Sequence, residues 1–296
     1  MRPKVDQVLS GWKWMDGWGK AIQDFVGGVF KALGPLGSPL KNLLHGTTFL
    51  RTPLHPALTD VPLGAWTAGV IADYMAITTN ILPRSAGTVA LAVGVTAALG
   101  AAATGYTDFT ETWGLERRVA LAHGLTMTTV VTADVVSLVF RLVGVSALYP
   151  PAVGLATFAL FLAMFGMHLG GHVVYGFGTQ IDRNAFIEAP RRAQTVGTSG
   201  DFQEGQPRAV EANGMAIMVV RLQGTLYAIS NTCAHAGGPL AEGDLQGDVI
   251  ECPWHGSRFR VTDGRLLRGP ATHPQPKLEV TEQDGQVQVA LREPLR

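Results

Sequence analysis

Between residues 57 and 177 the chain almost stops using charge. Four apolar runs stand out, at about residues 57–81, 86–104, 119–140 and 152–175. Each comes near the ~20 residues that cross the hydrocarbon core of a bilayer. The second has no ionisable residue, and the fourth has only histidines until its last turn. The joins, residues 82–85, 105–118 and 141–151, are short, which favours antiparallel neighbours and predicts a four-helix transmembrane bundle. Small residues four apart, Gly94 with Ala98 and Gly166 with Gly170, let such helices approach closely.

Upstream, Val5, Val8, Leu9, Trp12, Met15, Ile22, Phe25, Val26, Val29 and Leu33 recur at helical spacing, with Lys13, Asp16, Lys20 and Asp24 on the other side. With Trp12, Trp14 and Trp18, residues 5–33 read as one helix lying in the membrane interface. Residues 34–56, with four prolines, read as an irregular lead-in. After residue 178 the pattern shortens to strands. Residues 215–220 and 226–229 flank Gly224 as a hairpin, residues 249–252, 257–261, 278–281 and 287–291 are further strands, and Asp263-Gly264 and Asp284-Gly285 signal turns.

The predicted architecture is two-domain: an all-α four-helix transmembrane bundle followed by an all-β domain. The divisions fall at 1–50 (interfacial helix and lead-in), 51–178 (membrane domain), 179–199 (linker) and 200–296 (β domain). Formal charge is zero, so nothing suggests a nucleic-acid partner. No cleavable leader is visible, because the first apolar residues are interleaved with Lys, Asp and Trp. One membrane face receives Arg2, Lys4, Lys13, Lys20, Lys31, Lys41, Arg51, Arg117, Arg118, Arg183, Arg191 and Arg192, and the other only Arg84 and Arg141. The positive-inside rule then places both termini and the β domain in the cytoplasm, on a multi-pass protein of the inner membrane.

The only two cysteines each have a histidine close behind: Cys233-Ala-His235, then 16 residues, then Cys252-Pro-Trp-His255. Two Cys and two His can hold one zinc tetrahedrally. They can also hold a two-iron centre, with two thiolates on one iron and two imidazoles on the other. The stretches Cys233–His235 and Cys252–Ser257, with Gly269-Pro270-Ala271 after them, resemble the Rieske [2Fe-2S] family over roughly residues 200–292. The resemblance implies that Cys233 and Cys252 bind one iron and His235 and His255 the other, with Pro270 in a loop covering the cluster. Two departures matter. Gly238 and Trp254 stand where cytochrome bc-type relatives carry a loop disulfide. Ser257 is kept, but Phe259 replaces a tyrosine whose hydroxyl donates to sulfur. Fewer hydrogen bonds to sulfur imply a potential below the bc type, as in ferredoxins that feed oxygenases.

The membrane part, in pieces such as residues 55–66, 117–123 and 169–172, resembles a four-helix bacterial membrane family of unknown function that occurs fused to Rieske domains. His55, His123, His168 and His172 fall in one leaflet on the predicted topology. Buried ionisable residues in membrane helices tend to serve function. These histidines could hold haem b, with His123 and His172 as the favoured pair, bind a quinone headgroup, or simply bond neighbouring helices. Asp73 and Asp134 lie deeper and suggest a proton path toward His123, or quiet interhelical bonding.

A Rieske oxygenase needs a downstream domain with two His and one carboxylate around a mononuclear iron, and only residues 256–296 follow His255. The expectation is therefore a membrane-anchored iron–sulfur protein, an electron-transfer oxidoreductase component, exchanging single electrons with a redox protein or the quinone pool. Two other readings keep the same cluster: a redox sensor or scaffold, and a haem b–Rieske oxidoreductase.

Overall fold

The computed structural model describes residues 3–47, 50–79 and 81–291. Arg2, counted above among the cations, and residues 292–296 of the expected β domain lie outside that range. The chain divides into two units, Met1–Leu44 with Leu54–Gly178, and His45–Pro53 with Thr179–Arg296.

The first unit is helical: α1 (Lys4–Gly11), α2 (Met15–Ala32), α3 (Gly37–His45, whose last residue belongs to the second unit), α4 (Leu54–Thr78), α5 (Arg84–Phe109), α6 (Gly114–Leu142) and α7 (Tyr149–Gly171). Three stretches, Arg84–Phe109, Gly114–Leu142 and Ser146–Gly176, are long and apolar enough to cross a membrane. The expected fourth, α4, has the length at 25 residues, but Asp60, Asp73 and Pro62 dilute its apolar character. After α7 the chain widens into a π turn, His172–Gly176, the kind of local expansion that often marks a functional position.

The single interfacial helix expected over 5–33 is instead two helices. The Trp12 amide turns back to the Leu9 carbonyl (3.1 Å), and the helix restarts at Met15. One edge is used for packing: Leu9 and Met15 are buried against Phe109, Val119 and Leu121. Arg118 fixes it with two bonds to Asp16 (2.9 and 2.6 Å) and one to the Ser10 carbonyl (2.7 Å). The other edge, with Trp14, Trp18 and Phe25, stays exposed. Within the stretch expected to be an irregular lead-in, Gly37–His45 forms α3. Its Pro39 sits in the first turn, where amides have no intrahelical acceptor to lose.

The four long helices form two consecutive hairpins, α4–α5 and α6–α7, built alike. His55 near the start of α4 donates Nδ1–H to the Ala101 carbonyl of α5 (2.8 Å). His123 in α6 does the same to the Gly166 carbonyl of α7 (2.8 Å). One turn further on, the ring edge rests on a glycine in each case, Gly105 against His55 and Gly170 against His123, where an added methyl would meet the ring at 2.7 and 3.0 Å. Asp73 and Arg141 are 68 positions apart and touch. The same 68 positions separate His55 from His123, whose rings lie 6.2 Å apart. A residue that meets its own counterpart lies on the axis relating the halves, so the unit is a tandem repeat about an axis along the helices.

The second unit holds a six-stranded sheet in the order β1-β10-β9-β4-β3-β2 and a four-stranded sheet β5-β6-β7-β8. The strands are β1 (Gln194–Thr198), β2 (Arg208–Ala212), β3 (Met215–Leu222), β4 (Thr225–Ser230), β5 (Asp244–Gln246), β6 (Val249–Glu251), β7 (Arg258–Arg260), β8 (Leu266–Arg268), β9 (Lys277–Gln283) and β10 (Gln286–Ala290). The β3–β4 turn places Gln223 and Gly224 at φ 51° and 76°, the left-handed pair that suits the twist of a two-residue hairpin. Residues 179–199, expected as a linker, are built into this unit: β1 pairs with β10, and Asn184 is buried between Ser230 and the Thr232 carbonyl.

Candidate metal centre

The β4–β5 and β6–β7 connections carry the two Cys–His loops, and they repeat one another bond for bond. The Cys233 amide donates to the Gly238 carbonyl (2.9 Å) and the Gly237 amide back to the Cys233 carbonyl (2.8 Å). Cys252 with Ser257 (2.8 Å) and Gly256 with Cys252 (3.0 Å) do the same. The closing residue is left-handed in both, Gly237 at φ 85° and Gly256 at φ 71°, which glycine adopts without strain.

This folding gathers all four predicted ligands. Cys233, Cys252 and His235 are buried. The His235 and His255 rings lie 4.9 Å apart and nearly perpendicular, and both Nδ1 atoms are sealed from solvent. Cys252 is pulled down to about 6, first by the proton that Cys233 donates and then by the Trp254 and His255 amides, while burial opposes this. Cys233 is pushed up by that same contact and by burial. Two soft sulfurs and two imidazoles from facing loops are the donor set a two-iron centre needs. Gly238 is required for the approach: a methyl there would lie 2.9 Å from Cys252 Sγ and 3.0 Å from Trp254 Cγ. Gly238 and Trp254 thus face each other, and the indole fills the space a disulfide between those positions would bridge.

The Pro270 loop is latched from two sides. The Ala271 amide donates to Ser257 Oγ (3.0 Å), and Thr47 Oγ1 donates to the Ala271 carbonyl (3.0 Å). Ser257 accepts through oxygen in this bond, so its own O–H remains to be given elsewhere. Phe259 is fully buried beside both cysteines. Sequence reasoning missed several supports. Arg268 binds the Gly256 carbonyl (2.8 Å) and Glu251 (3.1 Å), and Asn184 and Thr47 arrive from distant sequence. An Asn or Thr in a polar stretch gives no local sign of such a role.

The membrane residues separate differently from expectation. His123 pairs with His55, not His172. His172 Nε2 instead meets Asp6 Oδ1 at 2.7 Å, and His168 faces outward. Asp73 is no open proton carrier: Arg141 holds both its oxygens at 2.7 Å, and Tyr149 donates to it at 3.0 Å. Arg141, counted above as a far-face cation, is therefore sealed in a pair. Asp134 is buried, and neither carboxyl oxygen has a hydrogen-bond partner among the described residues.

Residues 192–282 match the Rieske [2Fe-2S] domain, and residues 51–183 match DUF2231, a predicted membrane protein. Ferredoxin CarAc of Metapseudomonas resinovorans is 42% identical over 96 residues, 32% of this chain and 90% of the relative. The ferredoxin component of the naphthalene 1,2-dioxygenase/salicylate 5-hydroxylase systems of Ralstonia sp is 39% identical over 72 residues, 24% of this chain and 69% of the relative. The cytochrome b6-f complex iron-sulfur subunit of Chlorobaculum tepidum is 32% identical over 96 residues, 32% of this chain and 52% of the relative. The chain belongs to the Rieske [2Fe-2S] family, with a DUF2231 membrane domain ahead of the iron–sulfur domain.

Proposed function

We propose that this chain is a membrane-anchored Rieske ferredoxin that carries one electron at a time between redox partners. The observation that carries the reading is the convergence of Cys233 and His235 on one loop with Cys252 and His255 on its twin. Cys233 and Cys252 hold one iron, and His235 and His255 hold the other. The cluster supplies a one-electron couple. The protein supplies the cage, the N–H groups aimed at the sulfurs, and the latched Pro270 loop that keeps water off. Phe259 adds no hydroxyl, which supports a potential below that of the bc-type centres. The partner is a redox protein, in keeping with relatives named as components of dioxygenase systems, and substrate chemistry takes place elsewhere. The concentration of Lys and Arg in the N-terminal segment, with Arg117 and Arg118 at the start of α6, supports a cytoplasmic position for both termini, on a multi-pass protein of the inner membrane.

The test is electron paramagnetic resonance of the dithionite-reduced protein. The full chain gives a Rieske signal, and His235→Ala and His255→Ala each abolish it. Persistence of the signal in either variant removes that residue from the ligand set.

A further inference from the structure

His55 and His123 are equivalent residues of the two hairpins, and they meet on the axis between them. Each donates Nδ1–H to a backbone carbonyl of its own hairpin, Ala101 or Gly166, at 2.8 Å. A carbonyl can only accept, so in the neutral ring the proton sits on Nδ1 and the lone pair on Nε2. That is the standard arrangement of metal-binding histidines: one nitrogen is fixed by an outer hydrogen bond and the other is left to ligate. It does not suit a quinone carbonyl, which needs a donor from the ring.

The separation narrows the class of metal centre. Two imidazoles bound at about 2.0–2.1 Å on opposite sides of one metal place their ring centroids about 6.2–6.5 Å apart. The observed separation is 6.2 Å, with rings 77° apart in plane. Ligands on a tetrahedral ion would bring the rings closer. Among the described residues no third His, Cys, Asp or Glu joins the pair to hold an ion. A bare transition metal is therefore poorly served here, whereas haem iron brings four nitrogens of its own and asks the protein for two axial ligands. Gly105 and Gly170 let the neighbouring helix backbone close on each ring and hold it in place, since an added methyl would lie 2.7 and 3.0 Å from the imidazole carbons.

We propose that His55 and His123 are the axial ligands of a haem held on the internal axis of the membrane unit. This rests on the helical unit alone and stands or falls apart from the cluster assignment. The experiment titrates the purified full-length protein, in detergent, with haemin. Expected are saturation at one haem per chain and a low-spin, bis-imidazole spectrum. His55→Ala and His123→Ala should each lose the low-spin form and weaken binding at least tenfold, while His168→Ala and His172→Ala leave both unchanged. Monodisperse elution in detergent and an unchanged helical circular dichroism spectrum, read on the same samples, show that the membrane unit of each variant has folded. Absence of saturable binding by the unaltered chain overturns the proposal, as does a low-spin spectrum that survives in the His55→Ala, His123→Ala double variant. If the variants do not fold, the unaltered chain still decides: a high-spin complex excludes two axial imidazoles.

Discussion

Arg141 grips Asp73 through both carboxylate oxygens at 2.7 Å, with each side chain 1% exposed. The pair joins equivalent positions of the two hairpins, and Tyr149, with Arg84 stacked 4.5 Å over its ring, completes it. Removing one member of a buried ion pair strands the other, at a cost of about 3–5 kcal/mol. Asp73→Ala and Arg141→Ala should each lower the thermal midpoint of the membrane unit steeply. Asp73→Leu with Arg141→Met together should recover most of the loss. A double variant as unstable as the singles shows that the pair is not an isolated unit.

Asp134 is the opposite case, a buried carboxyl with both oxygens unbonded among the described residues. Leaving a buried polar group unpaired costs about 1–3 kcal/mol. Asp134→Leu should therefore raise the midpoint in detergent. A fall instead means that the carboxyl is used, and the change should then be followed into electron-transfer assays.

Ser257 links the cluster loop to the Pro270 loop through the Ala271 amide. Ser257→Ala removes that acceptor, costing about 1–3 kcal/mol, and also removes the O–H that the Rieske resemblance assigns to sulfur, so the reduction potential should fall. Phe259→Tyr works in the other direction. A net hydrogen bond of about 1 kcal/mol corresponds to about 40 mV in a one-electron couple, and the potential should rise by that order. Redox titration followed by resonance reads both. An unchanged potential in Phe259→Tyr places the new hydroxyl away from sulfur.

Thr47 reaches the Pro270 loop from far outside the β domain's sequence. Thr47→Val keeps the shape and deletes the donor to the Ala271 carbonyl. Cluster bleaching on heating should begin at lower temperature by a few degrees, in line with about 1 kcal/mol. If bleaching curves superimpose, the segment His45–Pro53 does not steady that loop.

Asp16 fastens α2 to α6. The Arg118 guanidinium bonded to it holds its carboxyl below the usual value of 3.8, with Arg117 adding to the effect. Because the folded value is depressed, the link is fully present above about pH 4 and is lost as pH falls through the lowered value. Protection of α1 and α2 amides, taken relative to their intrinsic exchange at each pH, should therefore be high at neutral pH and fall below pH 4, with salt acting in the same direction. Asp16→Asn should show lower protection at neutral pH and lose that pH response.

The two glycines that close the cluster loops, the spacing of Cys233 to His235 and of Cys252 to His255, and the apolar runs are all local patterns. The sequence by itself therefore determined a helical membrane part followed by a β domain with a two-loop metal site. It also marked Phe259 and Gly238 as departures, since their meaning depends only on position relative to the ligands. Pairing is another matter. His55 with His123, Asp73 with Arg141 and His172 with Asp6 join residues from separate helices, and helical periodicity states which face a side chain takes but not which helix lies opposite. The break at residues 12–14 likewise came from packing Leu9 and Met15 against α5 and α6, a tertiary gain that overrides one continuous amphipathic stripe. Thr47 and Asn184 became parts of the iron–sulfur unit for the same reason: contacts across 224 positions (Thr47 to Ala271) or 46 (Asn184 to Ser230) leave no periodic trace, and only the folded chain decides them.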